Sequence, residues 1–195
     1  SENYPLARSV ISSKAAGFID LSEKLTFDPA RAAQLLDSAG WKRGEDGLRY
    51  KDGHPLRLGI HISLPHPQNK TMLELVAQQW RKLGVELDIM SGSAAGVLLD
   101  NLDPQRTPLT VSEVGRADPD VLKSEFFPRN RDALLQKDGQ SKKVQHFQDP
   151  PLNAMLLDIA SQTDRAERLK QVVAVQKYLI DNAYDIPLFE EPQVY

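Results

Sequence analysis

The sequence predicts an α/β domain in which a mixed sheet is flanked by helices, and three observations carry that expectation. Between 56 and 64 the residues alternate strictly: Leu56, Leu58, Ile60, Ile62 and Leu64 point one way, Arg57, Gly59, His61 and Ser63 the other. That period of two is the mark of a half-buried strand. Met72, Leu73, Val76, Trp80 and Leu83 then recur at helical spacing, and Val85, Leu87 and Ile89 alternate again after Gly84. Strand, helix and strand in this order make a βαβ unit, whose crossover is right-handed and whose strands are parallel.

The remaining elements follow in chain order. Residues 1–26 show no clean period and read as a strand or loop lead-in. Asp28 and Pro29 open a helix, because Asp caps free amides and Pro at the first helical position gives up no hydrogen bond. Its apolar stripe is Ala32, Leu35, Leu36 and Ala39; Gly40 supplies the left-handed stop, and Trp41 is expected to pack back onto it. Asp52-Gly53 reads as a hairpin turn of type I′, whose two central residues need positive φ. A helix over 69–83 fills the βαβ unit, and a short strand is expected over 109–114. Asp118-Pro119 opens the next helix, with Val121, Leu122 and Phe126 inside. Residues 128–149 are polar and aperiodic, a long surface excursion. Helices are expected over 151–161 and 164–182, the second with Leu169, Val172, Val173, Gln176, Leu179 and Ile180 at helical spacing. The closing run 185–195 is extended, with Ile186, Pro187, Leu188 and Phe189 joining the sheet.

Composition narrows the functions. At 195 residues the chain is long enough for a core, and 41% hydrophobic with 26% charged residues is the balance of a folded globular domain. No apolar run approaches the roughly 20 residues needed to span a bilayer as a helix. A formal net charge of -3, with no basic stripe interleaved with aromatics, argues against a nucleic-acid partner. With no cysteine, thiol catalysis, disulfides and Cys-ligated zinc drop out. His54, His61, His66 and His146 show no HExxH or i,i+4 pairing, so no metal ligand set is expected. No nucleophile elbow, Walker loop or dinucleotide fingerprint occurs, and no cofactor is called for. The start at Ser1-Glu2-Asn3, without Met or a leader, is expected of a mature or truncated product.

Several segments in order are together more specific than any alone. FDPARAAQLLDSAGW (27–41), DGHPLRLGIHIS (52–63) with AQQWRKLGVELDI (77–89), GRADPDVLKSEFF (115–127) and RLKQVVAVQKYLIDNAYDIPLFEEPQVY (168–195) resemble corresponding stretches of family 5 extracellular solute-binding proteins. That group includes oligopeptide-, dipeptide- and nickel-binding proteins of ABC importers. The resemblance implies one lobe of a two-lobed periplasmic-binding-protein-like fold, with 1–195 a single solute-binding lobe cut from a larger protein. It implies a substrate-binding component and not an enzyme. Such a protein closes on a small polar solute, a peptide for instance, and delivers it to membrane permease subunits. A monomer in the periplasm or outside the cell is implied, with lipid anchoring through a missing N-terminal segment as one arrangement.

The resemblance also places the ligand-facing segment at Ser112, Glu113, Val114, Gly115, Arg116 and Asp118. Arg116 suits a carboxylate through a two-pronged hydrogen bond, Glu113 suits an ammonium, and Gly115 lets a ligand approach the main chain. The segment departs from the peptide- and nickel-binding patterns in carrying no aromatic residue. For Asp118 the alternative is a helix cap, and for Arg116 an ion pair with Glu113 or Asp118. His66 follows the best strand, where ligands gather in α/β folds, or is simply solvated. Arg106, ahead of the third strand, reads either as a ligand contact or as a solvated charge. Two other functions remain open at this point: a ligand-sensing domain of a regulator, and a hydrolase using scattered carboxylates such as Glu113 with Asp118.

Overall fold

The computed structural model describes residues 5–62, 67–91, 108–111, 114, 118, 120–127, 135–137, 144–146 and 148–190. They form five helices, α1 (Pro29–Ser38), α2 (Pro67–Leu83), α3 (Val121–Phe126), α4 (Pro150–Ser161) and α5 (Arg165–Asp181). The strands are β1 (Lys42–Arg43), β2 (Arg49–Lys51), β3 (His54–Pro55), β4 (Arg57–Ile62), β5 (Glu86–Ser91), β6 (Pro108–Thr110), β7 (Leu135–Lys137) and β8 (Val144–His146). Contacts gather into two compact units, one drawn from Ser1–Thr26, Glu113–Leu134 and His146–Tyr195, the other from Phe27–Ser112 and Leu135–Gln145. The expected α/β fold is present, with its parallel and antiparallel pairings shared among separate small sheets.

In the second unit the βαβ reading holds. β4 pairs parallel to β5, with Leu58 opposite Leu87 and Ile60 opposite Ile89, and β6 pairs parallel on the other side of β4. Ile60, Ile62 and Leu73 are buried together, with Met72, Leu87, Ile89, Leu109 and Val111 packed against them. The hairpin also forms where expected: Lys51 faces His54 across Asp52 (φ 52°) and Gly53 (φ 79°). On α1 the Asp28 carboxylate accepts from the Arg31 N–H at 2.8 Å, with Pro29 at the first turn. The Trp41 N–H folds back to Leu36 O at 2.9 Å. The stripe on α1 is another matter. No residue of this helix is buried, and Leu35 is 54% exposed.

Arg49 joins the pieces of this unit and lies only 3% exposed. Its Nε donates to Leu83 O at 2.8 Å, and one terminal nitrogen donates to both Asp37 Oδ1 and Trp41 O at 2.6 Å. A buried guanidinium is tolerable only when paired and hydrogen-bonded in this way. The last carbonyl of α2, that of Leu83, is thereby satisfied by a cation, the sign the helix dipole favours at that end. Gly84 must be glycine on two grounds. Its φ is +87°, and a Cβ there would sit 2.8 Å from Arg49 Cγ and 3.0 Å from Gly47 O.

The first unit buries Leu152, Leu156 and Ile159 of α4, Val172, Val175 and Leu179 of α5, and Val121, Leu122 and Phe126 of α3. The expected interior of the helix after Asp118 is therefore found. Val10, Ile11 and Ala15 of the aperiodic lead-in complete the same core, which the pattern of that segment did not announce. Its only regular features among the described residues are a 3-10 turn (Ser22–Lys24) and one bridge, Leu6 to Phe189. That bridge corrects the expectation for 186–189. These residues meet the start of the chain and not the sheet, with Ala7 N–H donating to Leu188 O at 3.3 Å and Glu190 N–H to Pro5 O at 2.8 Å. A second correction concerns 128–149, where β7 and β8 pair as a two-stranded sheet.

Asp149 caps α4, accepting the Leu152 N–H at 2.9 Å, and also receives the hydroxyls of Tyr178 (3.0 Å) and Tyr184 (2.7 Å). Burial raises its pKa, but the Leu152 N–H and the two hydroxyls outweigh it, so the carboxyl sits below its ordinary range. Tyr184 is pushed up to about 12, chiefly by donating to this carboxylate and then by burial.

Candidate functional site

Because β5, β4 and β6 run parallel, their carboxyl ends, Ser91, Ile62 and Thr110, lie at one edge of the sheet. β4 is central, and the strand order reverses about it: the chain goes to β5 on one side and returns to β6 on the other. In open α/β sheets ligands are held by segments leaving such an edge. In sequence, His66 follows the end of β4 and 112–118 follow the end of β6, while Arg106 precedes the amino end of β6. The division between the two units falls between Ser112 and Glu113.

Of the sequence-predicted residues, Ser112, Glu113, Gly115, Arg116, His66 and Arg106 lie outside the described residues. Val114 is half-buried and packs against the hydrophobic cluster of the first unit. Asp118 is exposed. Its Oδ1 accepts the Asp120 N–H at 3.0 Å and its main-chain oxygen accepts the Val121 N–H at 3.2 Å. The helix therefore starts later than Asp118-Pro119 suggested, at Val121 with Asp120 as the flanking residue. Asp118 closes a side-chain turn ahead of it, since a short carboxylate bonds readily to the amide two residues on.

Sequence reasoning missed one contact here. Arg168 of α5 pairs through Nη2 with Asp120 Oδ1. No local pattern joins residues 48 positions apart, so only the packing of α5 beside α3 reveals it. Further along α3, Glu125 is buried at 4% exposure, and Asp185 lies within its electrostatic reach. Burial first, and the Glu125 charge after it, push the Asp185 carboxyl up to about 6 against the lowering influence of the Ile186 N–H.

An open hollow on the second unit is lined by Gln78, Arg81 and Lys82 of α2 and by Val85, Glu86 and Leu87. It sits at the amino end of β5, the edge opposite the strand ends just described. Its charges are also matched internally, with Glu86 receiving both Arg57 and Arg81. Among the described residues no group of three or more His, Asp or Glu is placed to hold a metal ion, and no helix is long and apolar enough to cross a membrane.

The same fold recurs in solved structures of binding proteins. NikA from Brucella suis, in complex with Fe(III)-EDTA, is 21% identical and superposes with a TM-score of 0.73 over 96% of this chain and 37% of its own. The oligopeptide-binding protein from Thermus thermophilus, complexed with a pentapeptide, is 16% identical with a TM-score of 0.72, covering 96% of this chain and 34% of its own. These likenesses define the fold class: that of periplasmic binding proteins.

Residues 2–124 match the family model of the bacterial extracellular solute-binding proteins, family 5 middle region, and the chain belongs to that family. Among curated proteins, the oligopeptide-binding protein OppA of Lactococcus lactis is 27% identical over 190 residues, covering 94% of this chain and 29% of the relative. The nickel-binding periplasmic protein of Escherichia coli is 29% identical over 73 residues, 36% of this chain and 14% of the relative. The chain thus spans less than a third of the length of the curated relatives it matches.

Proposed function

We propose that this chain is a solute-binding lobe of the capturing subunit of an ABC importer, acting outside the cytoplasm and handing a small polar solute to membrane permease subunits. The observation that carries this reading is the family match over 2–124, which takes in the whole β4–α2–β5 unit and the segment after β6. The relatives give the range of cargo: oligopeptides and nickel among curated proteins, a pentapeptide and a metal chelate in the solved structures. For this chain an Arg116 and a Glu113 in the same short stretch of sequence favour a zwitterionic solute, the first suiting its carboxylate and the second its ammonium. Binding is reversible and makes no covalent bond. The energy of the contacts serves to favour a closed state over an open one.

Native mass spectrometry of the full-length protein, purified gently from its own host, tests the reading. A small molecule retained at one equivalent and released intact on denaturation supports it. Turnover of peptides or glycosides that disappears in Glu113→Gln would replace it with the hydrolase reading. A DNA-binding segment in the intact gene product, without a secretion signal, would replace it with that of a regulator.

A further inference from the structure

We propose that the paired stretches 5–7 and 186–190 form an interaction surface whose occupant is an extended strand from the part of the longer polypeptide outside residues 1–195. The proposal rests on reading this chain as one lobe of a longer protein. Leu6 faces Phe189 in an antiparallel bridge, and the hydrogen bonds that close it come from the neighbours: Ala7 N–H to Leu188 O at 3.3 Å and Glu190 N–H to Pro5 O at 2.8 Å. Leu6 and Phe189 are thus a non-hydrogen-bonded pair, in which each residue's own N–H and C=O turn away from the opposite strand. The Leu6 N–H and C=O therefore lie on the outer edge of the ribbon, and among the described residues they have no partner. Such an edge is a template for one more strand.

The side chains lead to the same conclusion. Leu6 is 79% exposed, Ile186 55% and Leu188 36%. Leu6 and Phe189 share one face of the ribbon, and Leu188, one residue along, projects from the other. Large apolar groups open to water on both faces suit a strand pair inside a wider sheet, not a lone ribbon in water. The ribbon is nevertheless held at its end. The Glu190 carboxylate accepts the Ser13 N–H at 3.2 Å, the Ser13 hydroxyl at 2.9 Å and the Ser12 hydroxyl at 3.3 Å. A fixed apolar ribbon with a bare edge is incomplete by itself. The relatives supply the polypeptide to complete it, since this chain covers 29% of OppA and 37% of NikA.

Hydrogen exchange of the full-length protein, resolved to single amides by fragmentation mass spectrometry, tests this at Leu6. The Leu6 amide should exchange about 100-fold slower than in an unstructured peptide, at every protein concentration. A photo-reactive benzoylphenylalanine in place of Leu6 should cross-link to residues outside 1–195. In Leu188→Asp the Leu6 protection should fall about tenfold while the amides of α5 keep theirs, because Leu188 lies outside the unit's own core. Exchange of Leu6 at the unstructured rate would overturn the proposal, as would a cross-link that stays within 1–195. Protection lost on dilution would overturn it too, by making a second copy the occupant. So would Leu6 protection unchanged in Leu188→Asp, or a loss that extends into α5. No solute enters these measurements, so a protein that captures none would fail the proposed function and leave this result standing.

Discussion

The Ser9 hydroxyl donates to Gln176 Oε1 at 2.8 Å, tying the start of the chain to the middle of α5 across 167 positions of sequence. Gln176 is fully buried, and its Nε2 donates to Gly17 O at 2.7 Å and Val172 O at 3.1 Å. Close by, a Cβ on Gly17 would lie 2.8 Å from Val172 Cγ1, so the lead-in is seated directly on the helix. Gln176→Leu should cost about 2–4 kcal/mol, because Ser9 and the Gly17 carbonyl lose their partner inside the core. Urea denaturation checks the magnitude, and an unchanged midpoint would show that the lead-in contributes nothing to the unit.

Arg49 gives a parallel case in the other unit. Arg49→Met keeps most of the volume but strands Leu83 O and Trp41 O; Asp37, half-exposed, turns to water. A loss of about 3 kcal/mol is expected by the same measurement. Arg49→Lys should recover little of it, since one ammonium cannot reach partners spread across a planar fork.

Stability should also depend on pH through Asp185. Its folded pKa of about 6 lies above the ordinary 3.8, so the folded chain holds that proton more tightly than the unfolded one. The contribution is favourable below about pH 4 and is lost as pH rises through 6. Asp185→Asn, which keeps an acceptor for the Ile186 N–H, should therefore raise stability at pH 7.5 by on the order of 1 kcal/mol and flatten the profile between pH 4 and 6. A variant less stable than wild type at pH 7.5 would contradict this.

At the alkaline end Tyr184 should titrate late. With its folded pKa raised to about 12, its contribution is whole below pH 10 and disappears as pH rises through 12. Ultraviolet titration should show Tyr184 among the tyrosines that ionise late, and Tyr184→Phe should reduce that late amplitude at a cost of about 1.5–3 kcal/mol, the range for a hydrogen bond to a charged group.

What could be read in the sequence was local. The turn at Asp52-Gly53, the cap at Asp28 and the alternation that opens at Leu56 each express a constraint among near neighbours; the turn and the cap are found in place, and the alternation gives a strand over Arg57–Ile62. Features set by distant partners were not legible. Val10, Ile11 and Ala15 enter the core without a period because their segment is irregular, and Phe189 pairs with Leu6 at the far end of the chain. Arg49 gives no sign of burial, since its four acceptors come from α1, the turn at Trp41 and α2. β7 and β8 are three residues each within a polar stretch, too short to show alternation. For the candidate site, Val114 is found against the first unit's core and Asp118 in a turn ahead of its helix. Its Arg116 and Glu113 rest on family resemblance, because a ligand grip has no period to betray it.

Calorimetry with the co-purified solute, comparing the full-length protein with its Arg116→Ala and Glu113→Gln variants, tests solute capture by 112–118 most directly. Each substitution should weaken binding about 10- to 100-fold, the loss of one charge-assisted contact, with the solute recovered chemically unchanged. Affinity untouched by both substitutions would contradict the account, as would a solute returned cleaved.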